Sequence, residues 1–228
     1  SVVTWGHPRN GGDCSDQQLE LNQVVHVCAT SSAFAAVTAN RQVVTWGNPE
    51  QGGHSFLVRE QLASGVEHIS STNLAFAALK TDGSVVVWGH FSFGGDISMV
   101  RSRLASGVRK VYSTLEAFAA LRFDGSVVTW GSPRHGGDSS MVNELLQAGV
   151  QEIIATGSAF AALKADGSVV AWGLATYGGQ TFSVQELRSG VKEVCATDSA
   201  FAASKSDGRV ITWGNQEQGW AQQLFQHV

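Results

Sequence analysis

The sequence predicts an all-β fold, a β-propeller of three-stranded blades, from three observations. A motif ending in Trp-Gly returns at a constant interval, an Asp-Gly dipeptide precedes most copies of it, and a pair of glycines follows five of them. An interval of 41 or 42 residues is typical of repeat architectures. The tryptophans of the motif are Trp5, Trp46, Trp88, Trp130, Trp172 and Trp213.

Each repeat is predicted to begin with a short strand and a β-hairpin. The template copy reads GVQEIIAT from Gly149, and its apolar and polar residues alternate as in a half-buried strand. Two apolar runs follow, joined by Asp166-Gly167, because the turn of a hairpin requires a positive φ that glycine adopts without strain. The first copy has Asn40-Arg41 here, and Arg41 fits such a turn less well.

The middle strand of five repeats contains the block AFAA. One large aromatic side chain flanked by alanines suits a strand packed tightly near the central axis. We therefore expect one buried phenylalanine in each of these repeats, arranged around the core: Phe34, Phe76, Phe118, Phe160 and Phe201. After Trp-Gly come four variable residues, the glycine pair and a short amphipathic stretch such as SSMVNELLQAG, long enough for about two helical turns.

Such a unit cannot bury its apolar faces alone, so the copies must stack on one another. Radial stacking hides most sheet edges, and neither end resembles the polar cap of a linear solenoid, which favours a closed ring. We predict one domain over residues 1–228, with repeat units at about 1–23 (partial), 24–65, 66–107, 108–149, 150–190 and 191–228.

Five repeats are complete, and the first Trp-Gly strand and the closing LFQHV are expected to form a composite, partial sixth blade. A five-bladed ring with overhangs and part of a seven-bladed ring are the alternatives.

The composition excludes several classes of protein. Hydrophobic residues make up 43% of the chain and charged residues 15%, with a net charge of −4 and no basic block, so neither a disordered chain nor a nucleic-acid-binding surface is indicated. No apolar run approaches the ~18 residues of a membrane span. The three cysteines cannot all pair with one another and do not define a redox compartment. We expect a soluble protein of the cytoplasm or of an organelle.

The run AFAAL-x-x-DGSVV-x-WG with its glycine-rich turn resembles the repeat of the regulator of chromosome condensation family over almost the whole chain. The short repeat, without a fourth strand, is most similar to β-lactamase inhibitor protein II. The chain departs from the family in having Phe34 and its equivalents in place of a histidine, and Gly-Gly in place of G-Q-L-G. The resemblance implies a propeller and, for some members, nucleotide exchange on a small GTPase through an extra segment, for which the constant spacing leaves no room. The repeats also resemble those of large predicted proteins of photosynthetic microalgae.

Positions that agree between copies are explained by folding, so function is sought where the copies disagree. The four residues after Trp-Gly differ most (HPRN, NPEQ, HFSF, SPRH, LATY and NQEQ), and they should emerge on one rim. Exposed aromatic residues beside basic groups are typical interface anchors. An alternative is that Phe91 and Tyr177 only cover the neighbouring blade. The candidate protein-binding residues are His7, Arg9, Phe91, Phe93, Arg134, His135, Tyr177 and Trp220.

No catalytic, metal or cofactor site is predicted. The histidines and cysteines lack metal-ligand spacing, the glycine-rich turns lack the lysine of a phosphate loop, and no nucleophile–base or paired-carboxylate arrangement stands out. Three copies have an acid after the glycine pair, namely Asp13, Asp96 and Asp138. A ring of carboxylates would suit a cation, but we interpret each as the cap of the short helix that follows.

The sequence therefore predicts a non-enzymatic protein–protein interaction module or scaffold that binds through the loops after each Trp-Gly, as an accessory subunit of a large assembly. The alternatives are an exchange or regulatory factor for a small GTPase, a protein inhibitor of an enzyme, and a peripheral, pigment-free subunit of an algal photosynthetic complex, which would place it in the chloroplast. Light sensing is disfavoured because the Gly-Trp-Arg-His-Thr run of the related plant ultraviolet-B photoreceptor is missing. The expected partner is another protein or a multi-subunit complex, without nucleic acid, cofactor or transmembrane segment.

Overall fold

The computed structural model describes residues 2–181 and 184–215. In these ranges, fifteen strands form five three-stranded antiparallel sheets, and the strands of each sheet follow one another in chain order. The sheets are the blades of an all-β propeller, as predicted, and are numbered one to five along the chain. The strands are β1 (Val24–Ala29), β2 (Ala33–Thr38), β3 (Val43–Gly47), β4 (Val66–Ser71), β5 (Ala75–Lys80), β6 (Val85–Gly89), β7 (Val108–Ser113), β8 (Ala117–Arg122), β9 (Val127–Gly131), β10 (Val150–Ala155), β11 (Ala159–Lys164), β12 (Val169–Gly173), β13 (Val191–Ala196), β14 (Ala200–Lys205) and β15 (Val210–Gly214).

Short helical segments connect the blades. Directly after each Trp-Gly comes a 3₁₀ turn, at Pro8–Asn10, Pro49–Gln51, Phe91–Phe93, Pro133–His135 and Ala175–Tyr177. Further along each connection lie Ser15–Gln17, Phe56–Val58, Arg101–Leu104, Ser140–Leu146 and Gln185–Arg188, all 3₁₀, and the α-helical turn α1 (Arg59–Leu62). None of the helices in the described ranges is long and apolar enough to cross a membrane.

The hairpin of each blade turns at the predicted dipeptide. In blade four, the N–H of Lys164 donates to the carbonyl of Ser168 at 2.9 Å, and Gly167 has a φ of +77°. The carboxylate of Asp166 accepts the hydroxyl and the backbone N–H of Ser168, which lowers the pKa of this aspartate. The Asp-Gly-Ser sequence therefore supplies both the backbone geometry and the side-chain support of the turn.

Successive blades are joined by the tryptophan of one blade and the glycine pair before it. The ring of Trp130 stacks on Phe118 of its own blade, with ring centroids 5.2 Å apart. Its Nε1 donates to the carbonyl of Gly94, which belongs to the loop between blades two and three. Gly94 has a φ of +100°, and a Cβ there would lie 2.5 Å from the Phe118 ring, so only glycine fits. The same bond, 3.0–3.1 Å long, joins Trp46 to Gly11, Trp88 to Gly52, Trp172 to Gly136 and Trp213 to Gly178.

The first strands of the blades lie side by side at the inner edge of the propeller. The turns that follow them are linked by a chain of backbone hydrogen bonds, in which Ser31 donates to Asn73, Asn73 to Leu115, Leu115 to Gly157 and Gly157 to Asp198, at 2.8–3.0 Å. The AFAA strands, which were expected near the axis, are the middle strands of the sheets and pair directly with these first strands. Their alanines are small because both faces of a middle strand pack against neighbouring blades.

The predicted sixth blade stays a prediction, as does the closed ring. Residues 2–6 form no strand with any part of the chain that the structure describes, and LFQHV lies outside the described ranges. Trp5 is 84% exposed, whereas the five other tryptophans of the motif are buried. The difference arises because no glycine carbonyl of a preceding loop lies over the Trp5 ring among the described residues.

Replacing Trp130 by alanine should lower the free energy of unfolding by about 3–5 kcal/mol, because it empties a buried site and leaves the Gly94 carbonyl without its donor. Trp5→Ala is the matched control: Trp5 has the same place in the motif but is exposed, so its loss should cost less than about 0.5 kcal/mol. Denaturant unfolding of both variants measures the difference. Equal losses would contradict the role given to the contact between blades.

Arg41→Gly should raise the free energy of unfolding by about 0.5–1 kcal/mol. Arg41 has a φ of +61° in the position where the other blades have glycine, for example Gly83 at +76°. The carbonyl of Arg41 accepts the N–H of Val66 at 2.9 Å, and glycine retains this bond. A thermal melt that moves downward would show that the arginine side chain contributes more than its backbone strain costs.

Candidate protein-binding rim

The five described loops after Trp-Gly all lie at the same end of the blades. The N–H of the first loop residue donates to the residue before the second strand, as from His90 to Leu74 and from Ser132 to Glu116, at 2.9 and 3.0 Å. The loops therefore lie beside the turns between first and second strands. We call the surface formed by these loops and turns the Trp-Gly rim.

The four loops that follow blades one to four are each fixed between two blades. In the loop after blade two, the hydroxyl of Thr72, which belongs to that blade, donates to the carbonyl of Phe93 at 3.0 Å. The next residue, Gly94, accepts the indole N–H of Trp130 from blade three. Thr30, Thr114 and Thr156 make the equivalent bond to the loops of their own blades. The backbone of the rim is thereby held on both sides.

The fourth residue is half-buried in each of the loops that follow blades one to four. Phe93 is half-buried and packs between blades two and three, and Tyr177 does the same between blades four and five. His135 bonds with the hydroxyl of Ser132 through Nδ1, at 2.9 Å, and lies 3.0 Å from the carboxylate of Glu116. The packing of Tyr177 agrees with the alternative that was stated for Phe91 and Tyr177, and Phe93, which that alternative did not include, is packed in the same way.

The second and third loop residues point outward. Phe91 is 72% exposed, and its ring stacks on His90 with centroids 4.9 Å apart. The His90 ring in turn makes an edge contact with Phe93, with ring centroids 5.3 Å apart. The exposed Phe91 ring is therefore supported by His90 and, through it, by the half-buried Phe93. The candidates Arg9 and Arg134 are exposed and form no ion pair with the described residues.

The remaining candidates are distributed around the rim. His7 is exposed, and its Nδ1 accepts the N–H of Arg9 at 3.2 Å, so it closes its own loop. Phe91 and Arg134 lie on successive loops, after blades two and three. Trp220 falls outside the described residues. The structure thus leaves Phe91 as the aromatic candidate that is described and exposed, with Arg134 on the following loop.

Sequence analysis missed a second variable surface, at the inner edge. Every first strand contains a β-bulge, for example between Val66 and His68, which exposes two consecutive residues. Disagreement between copies, the signal used for the loops, could have found these positions too. They hold Val25 and His26, Glu67 and His68, Arg109 and Lys110, Gln151 and Glu152, and Lys192 and Glu193.

The inner edge brings titratable groups of neighbouring blades together. The rings of His26 and His68 lie 5.5 Å apart. Partial burial lowers the pKa of His68, the charges of His26 and Lys110 lower it further, and Glu67 opposes them. His68 is therefore held in its neutral form more firmly than an isolated histidine.

The acids after the glycine pair are used locally. The carboxylate of Asp138 accepts the N–H of Ser140, the first residue of a 3₁₀ helix, at 2.9 Å. Asp13 and Asp96 bond the N–H of Ser15 and Ser98 in the same way. Each acid stands two residues before its donor and closes a local turn, but the predicted cap position is wrong by one residue, because Ser139 and Cys14 are the N-caps of the helices that follow Asp138 and Asp13. Within the described ranges, no group of three histidine, cysteine or acidic side chains is arranged to hold a metal ion.

Lys110→Met should raise the pKa of His68, because it removes a positive charge that disfavours the imidazolium form. Lys192→Met, at the inner edge of blade five, is the matched control and should leave the His68 titration unchanged. Ring-proton shifts of His68 followed by NMR across pH 4–8 measure both. Since the pKa of His68 is lower in the folded state, we also expect stability to fall as pH drops below about 6.5. Identical titrations in the wild type and Lys110→Met would contradict the proposed proximity.

Comparison with solved structures shows the fold. The chain is similar to yeast RCC1 (Prp20) in its complex with Kap60, with a TM-score of 0.51 and 18% identity over 86% of this chain and 57% of that one. It is also similar to Prp20p of Saccharomyces cerevisiae (TM-score 0.53, 15% identity, 88% and 59% covered) and to the ectodomain of the receptor kinase CR4 of Physcomitrella patens (0.51, 17%, 86% and 53%).

These similarities confirm the predicted resemblance to RCC1-type repeat propellers at the level of the fold. The chain spans less than two thirds of the length of each of these three structures. The likeness to β-lactamase inhibitor protein II stays a prediction. No protein-family model and no curated protein matches the chain.

Proposed function

We propose that this protein is a non-enzymatic interaction module whose Trp-Gly rim binds another protein, as an accessory subunit of a larger assembly. The observation that carries the proposal is Phe91. An aromatic ring that is 72% exposed and stacked on a packed histidine loses little conformational freedom on binding. Such rings are the residues that dominate the energy of protein interfaces.

The surroundings of Phe91 indicate what the partner offers. Arg134 on the next loop is an exposed cation without a countercharge among the described residues. A partner with an apolar pocket for the ring and a carboxylate beside it would satisfy both. Because the loop backbone is already bonded on both sides, binding should need little rearrangement of the rim.

Yeast RCC1, which shares the fold, has been crystallised with the protein Kap60, and the Prp20p structure was studied together with its binding to Gsp1p and histones. Proteins with this propeller fold are thus known to bind other proteins. Three other functions are supported only by resemblance: nucleotide exchange on a GTPase, inhibition of an enzyme, and a role as a photosynthetic subunit. No particular residue of this chain supports any of them.

Phe91→Ala should weaken binding of the partner by about tenfold or more, as expected for a central aromatic anchor. Phe123→Ala is the matched control: Phe123 is also 72% exposed but lies in a hairpin turn at the opposite end of blade three. The partner is first captured from the native source by the tagged wild-type chain and identified by mass spectrometry. Its affinity for each variant is then measured by calorimetry.

Two further results bear on this proposal. Arg134→Ala should weaken binding less than Phe91→Ala, since an exposed charge at the edge of an interface contributes little. Circular dichroism of each variant confirms that the propeller is intact. Unchanged affinity of Phe91→Ala, or an equal loss in Phe123→Ala, would show that the Trp-Gly rim is not the binding surface.

A further inference from the structure

The outer edge of blade two is an unpaired strand edge. β6 is the last strand of its sheet and, among the described strands, pairs only with β5. Bonds from Lys80 to Ser84 and from His90 to Leu74 fix which residues of the β6 strand face β5. By the alternation of an antiparallel ladder, the N–H and C=O groups of Val85 and Val87 point away from the sheet. They bond to no other residue in the part of the chain that the structure describes.

In blade three, a side chain bonds to the corresponding edge strand. Val127 of β9 has the place that Val85 has in β6, and its carbonyl accepts the guanidinium of Arg103 at 2.9 Å. In blade two the residue in the place of Arg103 is Gln61, whose side chain makes no bond to Val85. The Val127 carbonyl of β9 is thus capped by a charged donor, and the Val85 carbonyl of β6 has no such donor among the described residues.

The open edge forms the floor of a groove of about 500 Å³. One wall is made by Phe56 and Leu57, which are 67% and 94% exposed, and the other contains Ile97. Blade three has a bonded pair of hydroxyls, Thr129 and Ser139, in the places of Val87 and Ile97. The groove of blade two is therefore more apolar than its counterpart at these two places, and the outward N–H and C=O groups of Val85 and Val87 on its floor have no partner among the described residues.

We propose that this groove binds an extended segment of another protein, which adds to β6 as a fourth strand. A strand presents alternating N–H and C=O groups at the spacing that Val85 and Val87 require, and its alternate side chains would contact the apolar walls. Because β6 is five residues long, a segment of similar length matches it. The groove shares Pro49 and Glu50 with the Trp-Gly rim but contains neither Phe91 nor Arg134, and it does not depend on the function proposed for the rim.

Charge narrows the choice of segment. Besides Asp96, whose carboxylate accepts the N–H and the hydroxyl of Ser98, two charged side chains line the groove, Glu50 and Arg101, and neither forms an ion pair with the described residues. A segment with a basic residue at one end and an acidic residue at the other would pair with both. The partner is therefore an apolar, alternating β-segment with opposite charges at its ends, rather than a uniformly acidic or basic peptide.

The experiment uses a synthetic eight-residue peptide that alternates valine and threonine between a terminal lysine and a terminal glutamate. Hydrogen exchange followed by NMR should show the N–H groups of Val85 and Val87 protected by about tenfold or more at saturating peptide, while that of Val86, already bonded to β5, changes little. A peptide with N-methylated alternate amides cannot add to the ladder and should not bind.

Gln61→Arg should abolish this protection, because the new guanidinium can cap the Val85 carbonyl as Arg103 caps Val127. Gln185→Arg places the same charge in another connection and is the matched control, with protection as in the wild type. The proposal is overturned if millimolar peptide protects neither amide, if the N-methylated peptide binds equally well, or if Gln61→Arg behaves like Gln185→Arg.

Discussion

The structure depends on one contact that is repeated between blades: an indole N–H that donates to a glycine carbonyl of the preceding loop. A buried indole N–H needs an acceptor, and the acceptor must approach closely enough to cover the ring as well. Glycine alone permits this approach, since a Cβ at Gly52 would lie 2.5 Å from the Phe76 ring. Trp-Gly and Gly-Gly, which look like two motifs in the sequence, are therefore two halves of one interaction.

This contact also explains why the rim is both constant in backbone and variable in side chain. Trp130 holds Gly94 from one blade while Thr72 holds Phe93 from the other. The loop between these anchors needs no particular side chain at its second and third residues. Substitution there changes the surface without changing the propeller, and the fixed backbone reduces the entropy lost on binding.

Much of the fold could be predicted because its signals are local. The turn at Asp166-Gly167, the strands beside it and the period of the tryptophans all follow from short-range rules. The role of individual loop residues could not be predicted in the same way. Phe91 and Phe93 are two residues apart in one 3₁₀ turn, yet one is exposed and the other is packed between blades. Only the turn geometry and the bond from Thr72 decide between them.

The inner and outer edges of the blades escaped prediction for a related reason. The bulge between Val66 and His68 shifts the register by one residue, so that two neighbours share a face where a regular strand would alternate. The open edge of β6 differs from the capped edge of β9 by one side chain, Arg103, whose bond spans a connection and a sheet. Both features are set by pairing between distant segments. Because Phe91 does not line the groove beside β6, changes at these two places should affect binding independently.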